Sequence, residues 1–169
     1  MYKMNTTATI FTLLMTLGIR TSALAGPPPS PPVDDAVVLT GWLHVEGHTM
    51  TDVSIEVEVN GAYTTAKVSE TGRFSVTLPA GAKAKLRFEK PGHLPKEVLV
   101  DTRHARNGEA GQRIRRVRFA VIMELERRMA GLTYPGPVGS IGFDQDGGCL
   151  AVAHDRRLVK AKRQAVMEF

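Results

Sequence analysis

From Ser69 to Thr102 apolar and polar side chains alternate in short runs cut by proline and glycine. In Arg73–Leu78 the residues Phe74, Val76 and Leu78 fall on one face, and Arg73, Ser75 and Thr77 on the other. A period of two predicts a strand with one buried and one wetted face. Ser69-Glu70-Thr71-Gly72 supplies a turn before it, and Pro79-Ala80-Gly81 ends it, because proline donates no ladder hydrogen bond. Ala84–Glu89 repeats the pattern, with Leu86 and Phe88 inward and Lys85, Arg87 and Glu89 outward. After a turn at Pro91-Gly92, Glu97–Asp101 predicts a third strand with Val98 and Val100 on one face.

The flanks continue the pattern. Val37–Val45 places Leu39, Gly41, Leu43 and Val45 opposite Val38, Thr40, Trp42 and His44. Glu46-Gly47-His48 predicts a turn. Asp52–Val59 then alternates cleanly, with Val53, Ile55, Val57 and Val59 inward. Asn60-Gly61 is the dipeptide that two-residue hairpins favour, and it leads into a strand over Tyr63–Val68. Arg103–Gln112 is a polar loop. Ile114–Leu125 predicts a long strand with Val117, Phe119, Val121, Met123 and Leu125 inward, and the outward arginines Arg113, Arg115, Arg116 and Arg118 join the basic tail in making one end positive. Seven strands are the number a two-sheet sandwich needs. Phe74, Phe88 and Phe119 each lie on the apolar face of their own strand and are expected to meet in one core.

The central stretch also resembles a known family. A turn ending in Gly72, then Phe74, Leu78, Pro79 and Gly81, then Leu86, Phe88, Lys90, Gly92 and His93, is similar to the carboxypeptidase regulatory-like domain, with His93 where that family usually has tyrosine. The likeness covers Val38 to Glu126. It implies a transthyretin-like (prealbumin-like) β-sandwich and, for function, an accessory module rather than a catalytic unit. The expected fold is therefore all-β, a seven-stranded sandwich with an appended C-terminal hairpin and a basic tail. The hairpin is expected from Ser140–Phe143 and Cys149–His154, which flank Asp144-Gln145-Asp146-Gly147-Gly148. The tail is expected as a short helix or a frayed end.

The two ends bear on compartment. Residues 1–25 read as a secretory signal peptide: Lys3 is the positive start, Ala8–Leu17 the apolar stretch, and Ala23-Leu24-Ala25 the cleavage pattern before Gly26. The apolar run is too short for a transmembrane segment. Gly26-Pro27-Pro28-Pro29-Ser30-Pro31-Pro32 predicts an extended linker. The expected organisation is a signal peptide at 1–25, a Pro-rich linker at 26–35, the sandwich at 36–126, a connection and hairpin at 127–155, and a basic tail at 156–169. Export is therefore expected, with the mature protein either periplasmic or secreted. Of 22 Lys and Arg against 17 Asp and Glu, cleavage removes Lys3 and Arg20 and leaves a formal charge of +3. That is too mild to argue for nucleic acid. The single cysteine, Cys149, forms no internal disulfide and reads as a small apolar residue.

Chemistry-bearing patterns are sparse. His44, His48, His93, His104 and His154 include no H-E-x-x-H. There is no G-x-S-x-G elbow and no phosphate loop. Transthyretin-like hydrolases of ureide substrates end in Tyr-Arg-Gly-Ser, whereas this chain ends Val166-Met167-Glu168-Phe169. His44, Glu46 and His48 stand at alternate positions but straddle a turn. Asp144-x-Asp146 begins like a calcium loop without the later ligands. No catalytic, cofactor or metal residue is expected, and no cofactor. The expected function is an exported, non-enzymatic sandwich that binds or scaffolds a protein or envelope partner. A carbohydrate-binding module is the alternative, and an unrecognised hydrolase is the third reading. A carbohydrate module displays a planar row of aromatics, so it would need Trp42, Tyr63 and Tyr134 on one exposed face.

Overall fold

Seven strands form over the stretches where apolar residues alternate. They are β1 (Ala36–Val45), β2 (Ser54–Val59), β3 (Ala62–Ala66), β4 (Arg73–Pro79), β5 (Lys83–Glu89), β6 (Lys96–Asp101) and β7 (Ile114–Met123). A 3-10 turn at Glu126–Arg128 leads on to β8 (Leu132–Thr133), β9 (Gly139–Phe143), β10 (Leu150–His154) and β11 (Val159–Lys160). The computed structural model describes residues 35–47, 49–107, 114–146, 148 and 150–161. The expected signal peptide, the linker up to residue 34, His48, the second half of the expected polar loop with Arg113 (108–113), Gly147, Cys149 and residues 162–169 lie outside the described residues.

The strands make a sandwich of unequal sheets. The smaller has the order β4-β1-β7, with β1 antiparallel to β4 and parallel to β7. The larger has the order β10-β9-β6-β5-β2-β3. A two-residue sheet pairs β11 with β8. Inward side chains from both layers fill the core, among them Val37, Leu39, Ile55, Leu78, Leu86, Phe88 and Val100. The three expected phenylalanines do meet. Phe74 stands edge-on to Phe88 at a centroid distance of 5.5 Å and edge-on to Phe119 at 5.5 Å, the T-shaped geometry that aromatic quadrupoles favour.

Turn chemistry explains two of the breaks. Asn60 and Gly61 have φ of 50° and 83°, the pair of left-handed residues that a type I′ hairpin requires. Gly72 has φ 77°, and a Cβ there would lie 2.3 Å from the Leu43 carbonyl oxygen. Glycine alone fits that turn, which explains its place before β4.

Several expectations change in detail. The strand expected over Tyr63–Val68 ends at Ala66, and Val68 keeps only an isolated bridge to Phe74. The long strand stops at Met123, and Leu125 instead bridges to His93. Arg115 is not outward. It shares the inward parity of Val117, lies over the Phe143 ring at 5.2 Å, and donates to the Gly148 carbonyl at 2.9 Å. The C-terminal hairpin continues the larger sheet, because β9 runs parallel to β6 and places Ile141 and Phe143 in the core. The described part of the basic tail is neither helix nor frayed, since Val159 and Lys160 pair with Thr133 and Leu132.

Candidate functional site

Among the described residues the mismatch of three strands against six leaves one side of the sandwich open. β7 is an edge strand of the smaller sheet, and among the described residues it pairs only with β1. Facing it across the gap are β9 and β10. Between them runs a groove of about 200 Å³ with a mainly apolar lining. The groove is built from β7 (Val117, Phe119, Val121), β9 (Ile141) and β10 (Leu150, Val152).

β10 is the unusual element. Its register sets Leu150 against Phe143 and Val152 against Ile141. Directly paired residues point to the same side of a sheet, so Leu150 and Val152 face inward as Phe143 and Ile141 do. Yet Ile141 and Phe143 are buried, whereas Leu150 is 48% and Val152 51% exposed. Among the described residues they are covered only in part, because the smaller sheet ends at β7, across the groove from them.

A polar cluster closes one end of the groove. Lys96 occupies an inward position of β6, in phase with Val98 and Val100, and is itself buried. Its Nζ lies 2.5 Å from Glu124 Oε2 and 5.2 Å from the Tyr134 ring centroid. An ion pair and a cation–π contact thus compensate a cation removed from water. Burial, and then the neighbouring Glu124 carboxylate, push the Tyr134 phenol above its ordinary pKa, while Arg156 pulls the other way. The strand expected from Glu97 in fact begins one residue earlier, at Lys96. Its phase with Val98 and Val100 is the signal that marks it.

The residues weighed for chemistry scatter. His44 is exposed at the end of β1, and Glu46 pairs instead with Arg128 at 2.7 Å. His48 lies outside the described residues. His93 Nδ1 lies 3.1 Å from the Pro91 carbonyl oxygen, and His104 lies 3.5 Å from the Asn107 amide nitrogen. His154 lines the groove on β10. Asp144 and Asp146 are exposed in the turn before β10. Among the described residues no three His, Cys, Asp or Glu side chains lie close enough to hold a metal ion. Trp42 belongs to β1 of the smaller sheet under the Arg73 guanidinium. Tyr63, 61% exposed, belongs to β3 of the larger one, and Tyr134 lies at the groove. The row of aromatics on one face that a carbohydrate module displays is therefore not assembled from these three. No helix among the described residues is long and apolar enough to cross a membrane.

No protein-family model matches the chain, and no curated protein matches it either. Among solved structures it is similar to chains from two interface mutants of a type II cohesin–X-dockerin complex from Acetivibrio cellulolyticus, one an N-terminal and the other a C-terminal interface mutant. The first match has 13% identity, covers 53% of this chain and 58% of that one, and has a TM-score of 0.34. The second has 14% identity, covers 52% and 56%, and has a TM-score of 0.33. The chain spans a little over half the length of the solved chains it matches.

Proposed function

We propose that this chain is an exported, non-enzymatic β-sandwich that binds a protein partner of the cell envelope or the extracellular space through its open side. The observation that carries the reading is the pair Leu150 and Val152, which sit on the core-facing side of β10 and are half exposed. Burying apolar surface of this kind drives association, and exposed apolar patches rimmed by polar groups mark interaction surfaces. The seven strands from Ala36 to Met123 divide as three and four, which supports the carboxypeptidase regulatory-like reading and its accessory-module role. Export rests on the residues before Gly26, with the linker at 26–35 as a spacer.

Two measurements test this. Mature protein recovered from its host begins at Gly26, and N-terminal sequencing that finds Met1 in a soluble cytosolic fraction overturns the compartment. Affinity capture from the periplasmic and culture fractions, quantified by mass spectrometry, recovers a partner that Val152→Glu loses at least tenfold. Equal capture by parent and variant, with the variant folded, removes the open side from the reading.

A further inference from the structure

The groove has the shape of a missing strand. In parallel pairing alternate residues of an edge strand turn their N–H and C=O groups away from the sheet, and such an edge is a template for another chain. At its far end β7 is already closed off, since Leu94 N–H donates to the Glu124 carbonyl and Glu126 N–H to that of Gly92. Among the described residues the open length therefore runs from Arg116 to Ile122. A strand laid there would become the fourth of the smaller sheet and would lie over β10, covering Leu150 and Val152. A strand added to β10 would instead lengthen the larger sheet and leave those two residues uncovered.

Side chains on β7 state what such a strand must carry. Its inward side passes Val117, Phe119 and Val121 and calls for apolar residues at alternate positions. On the outer face β7 shows Arg116 and Arg118, then Ala120 and Ile122, and Ile122 is 60% exposed. Among the described residues the ion pairs include none of Arg116, Arg118 or, at the groove end, Arg156. Opposite charges on neighbouring strands stabilise a sheet and like charges oppose it. A second copy paired antiparallel through the middle of β7 would bring the Arg118 side chains of both copies together.

We infer that the free edge of β7 takes up an extended segment of a partner protein as a fourth strand, apolar toward the groove and acidic beside Arg116 and Arg118. This rests on the protein-binding reading above and names its site and ligand chemistry.

The test uses the purified mature chain and fluorescent nine-residue peptides that alternate valine with glutamate, glutamate, threonine and isoleucine, each on a soluble polyether linker. The glutamate peptide binds, with anisotropy rising as protein is added. The same peptide with lysine for glutamate binds at least tenfold more weakly, and one with a central proline at least tenfold more weakly too. The surface variant Arg116→Glu with Arg118→Glu reverses the charge preference. Hydrogen exchange of alternate amides between 116 and 122 slows on binding. In the peptide experiment four results overturn the proposal: no peptide binds at millimolar concentration; binding ignores both the proline and the arginine reversal; protection falls on β3, β4 or β10 instead; or β7 amides are already protected in the free protein, which means a second copy or the chain itself fills the edge. Partner capture that survives the double arginine variant but is lost by Val152→Glu keeps the protein-binding reading and discards strand addition. Capture lost by neither variant fails both.

Discussion

Gly41 and Phe74 are paired directly across β1 and β4, and the Phe74 ring occupies the space where a side chain at residue 41 would start. A Cβ built on Gly41 would lie 2.1 Å from Phe74 Cζ, 2.4 Å from one Cε and 2.7 Å from the other. Gly41 is therefore the seat of the ring that also touches Phe88 of the opposite sheet and Phe119 of β7.

Gly41→Ala is expected to destabilise the fold by about 1–3 kcal/mol through overpacking. Phe74→Leu, which frees the space, should cost less in the Gly41→Ala background than alone. Urea unfolding of the four proteins measures the coupling. Strict additivity would mean that the ring relaxes away without resistance.

Phe88 belongs to the same cluster, through its contact with Phe74, and is fully buried. Phe88→Ala should cost about 3–5 kcal/mol from lost burial and the cavity left behind. An unchanged melting curve would mean that the faces of β5 are assigned wrongly.

The Lys96–Glu124 pair should respond asymmetrically. The Lys96 side chain is 10% exposed and that of Glu124 29%. Glu124→Ala strands a buried cation and should cost about 1–3 kcal/mol, below the range for fully buried pairs. Lys96→Met removes the charge itself and should stay within about 1 kcal/mol of the parent. Thermal unfolding compares them, and equal losses would contradict the asymmetry.

Thr102 clasps the β4–β5 turn. Its Oγ1 accepts from Ala82 N–H at 2.8 Å and lies within donating distance of the Pro79 and Ala82 carbonyls, at 2.8 and 3.0 Å. Thr102→Val leaves a buried N–H unsatisfied and should cost about 1–3 kcal/mol. Thr102→Ser keeps the hydroxyl and should cost less. Equilibrium unfolding that ranks the two alike would deny the clasp.

Acid should release one surface pair. The Arg103 side chain hydrogen-bonded to Asp101 holds that carboxyl at about 2, below its ordinary 3.8. The lowered folded value means that the stabilisation is present above pH about 4 and lost as pH falls toward 2. The Arg103 side chain is exposed and that of Asp101 partly so, so Asp101→Asn should cost less than about 1 kcal/mol at neutral pH. As pH falls through 2 to about 1, below both values, parent and variant should converge in urea unfolding. A difference that persists undiminished there would assign the effect to something other than this charge.

Strand positions and their inward faces were legible in the chain because alternation is a property of neighbouring residues. Val37 to Val45, Arg73 to Leu78 and Ala84 to Glu89 needed no partner to declare their faces. The turns at Asn60-Gly61 and Gly72 were equally local, since each rests on a backbone conformation that few other residues adopt. Lys96 and Arg115 escaped because charge argues for solvent, and their compensation comes from Glu124, Tyr134, Phe143 and the Gly148 carbonyl, supplied by other elements. The groove escaped for a different reason. It exists because β7 runs parallel to β1, and β9 parallel to β6, across long separations in sequence. Alternation assigns each side chain a face, but only long-range burial decides which strands become neighbours and therefore which edge is left open.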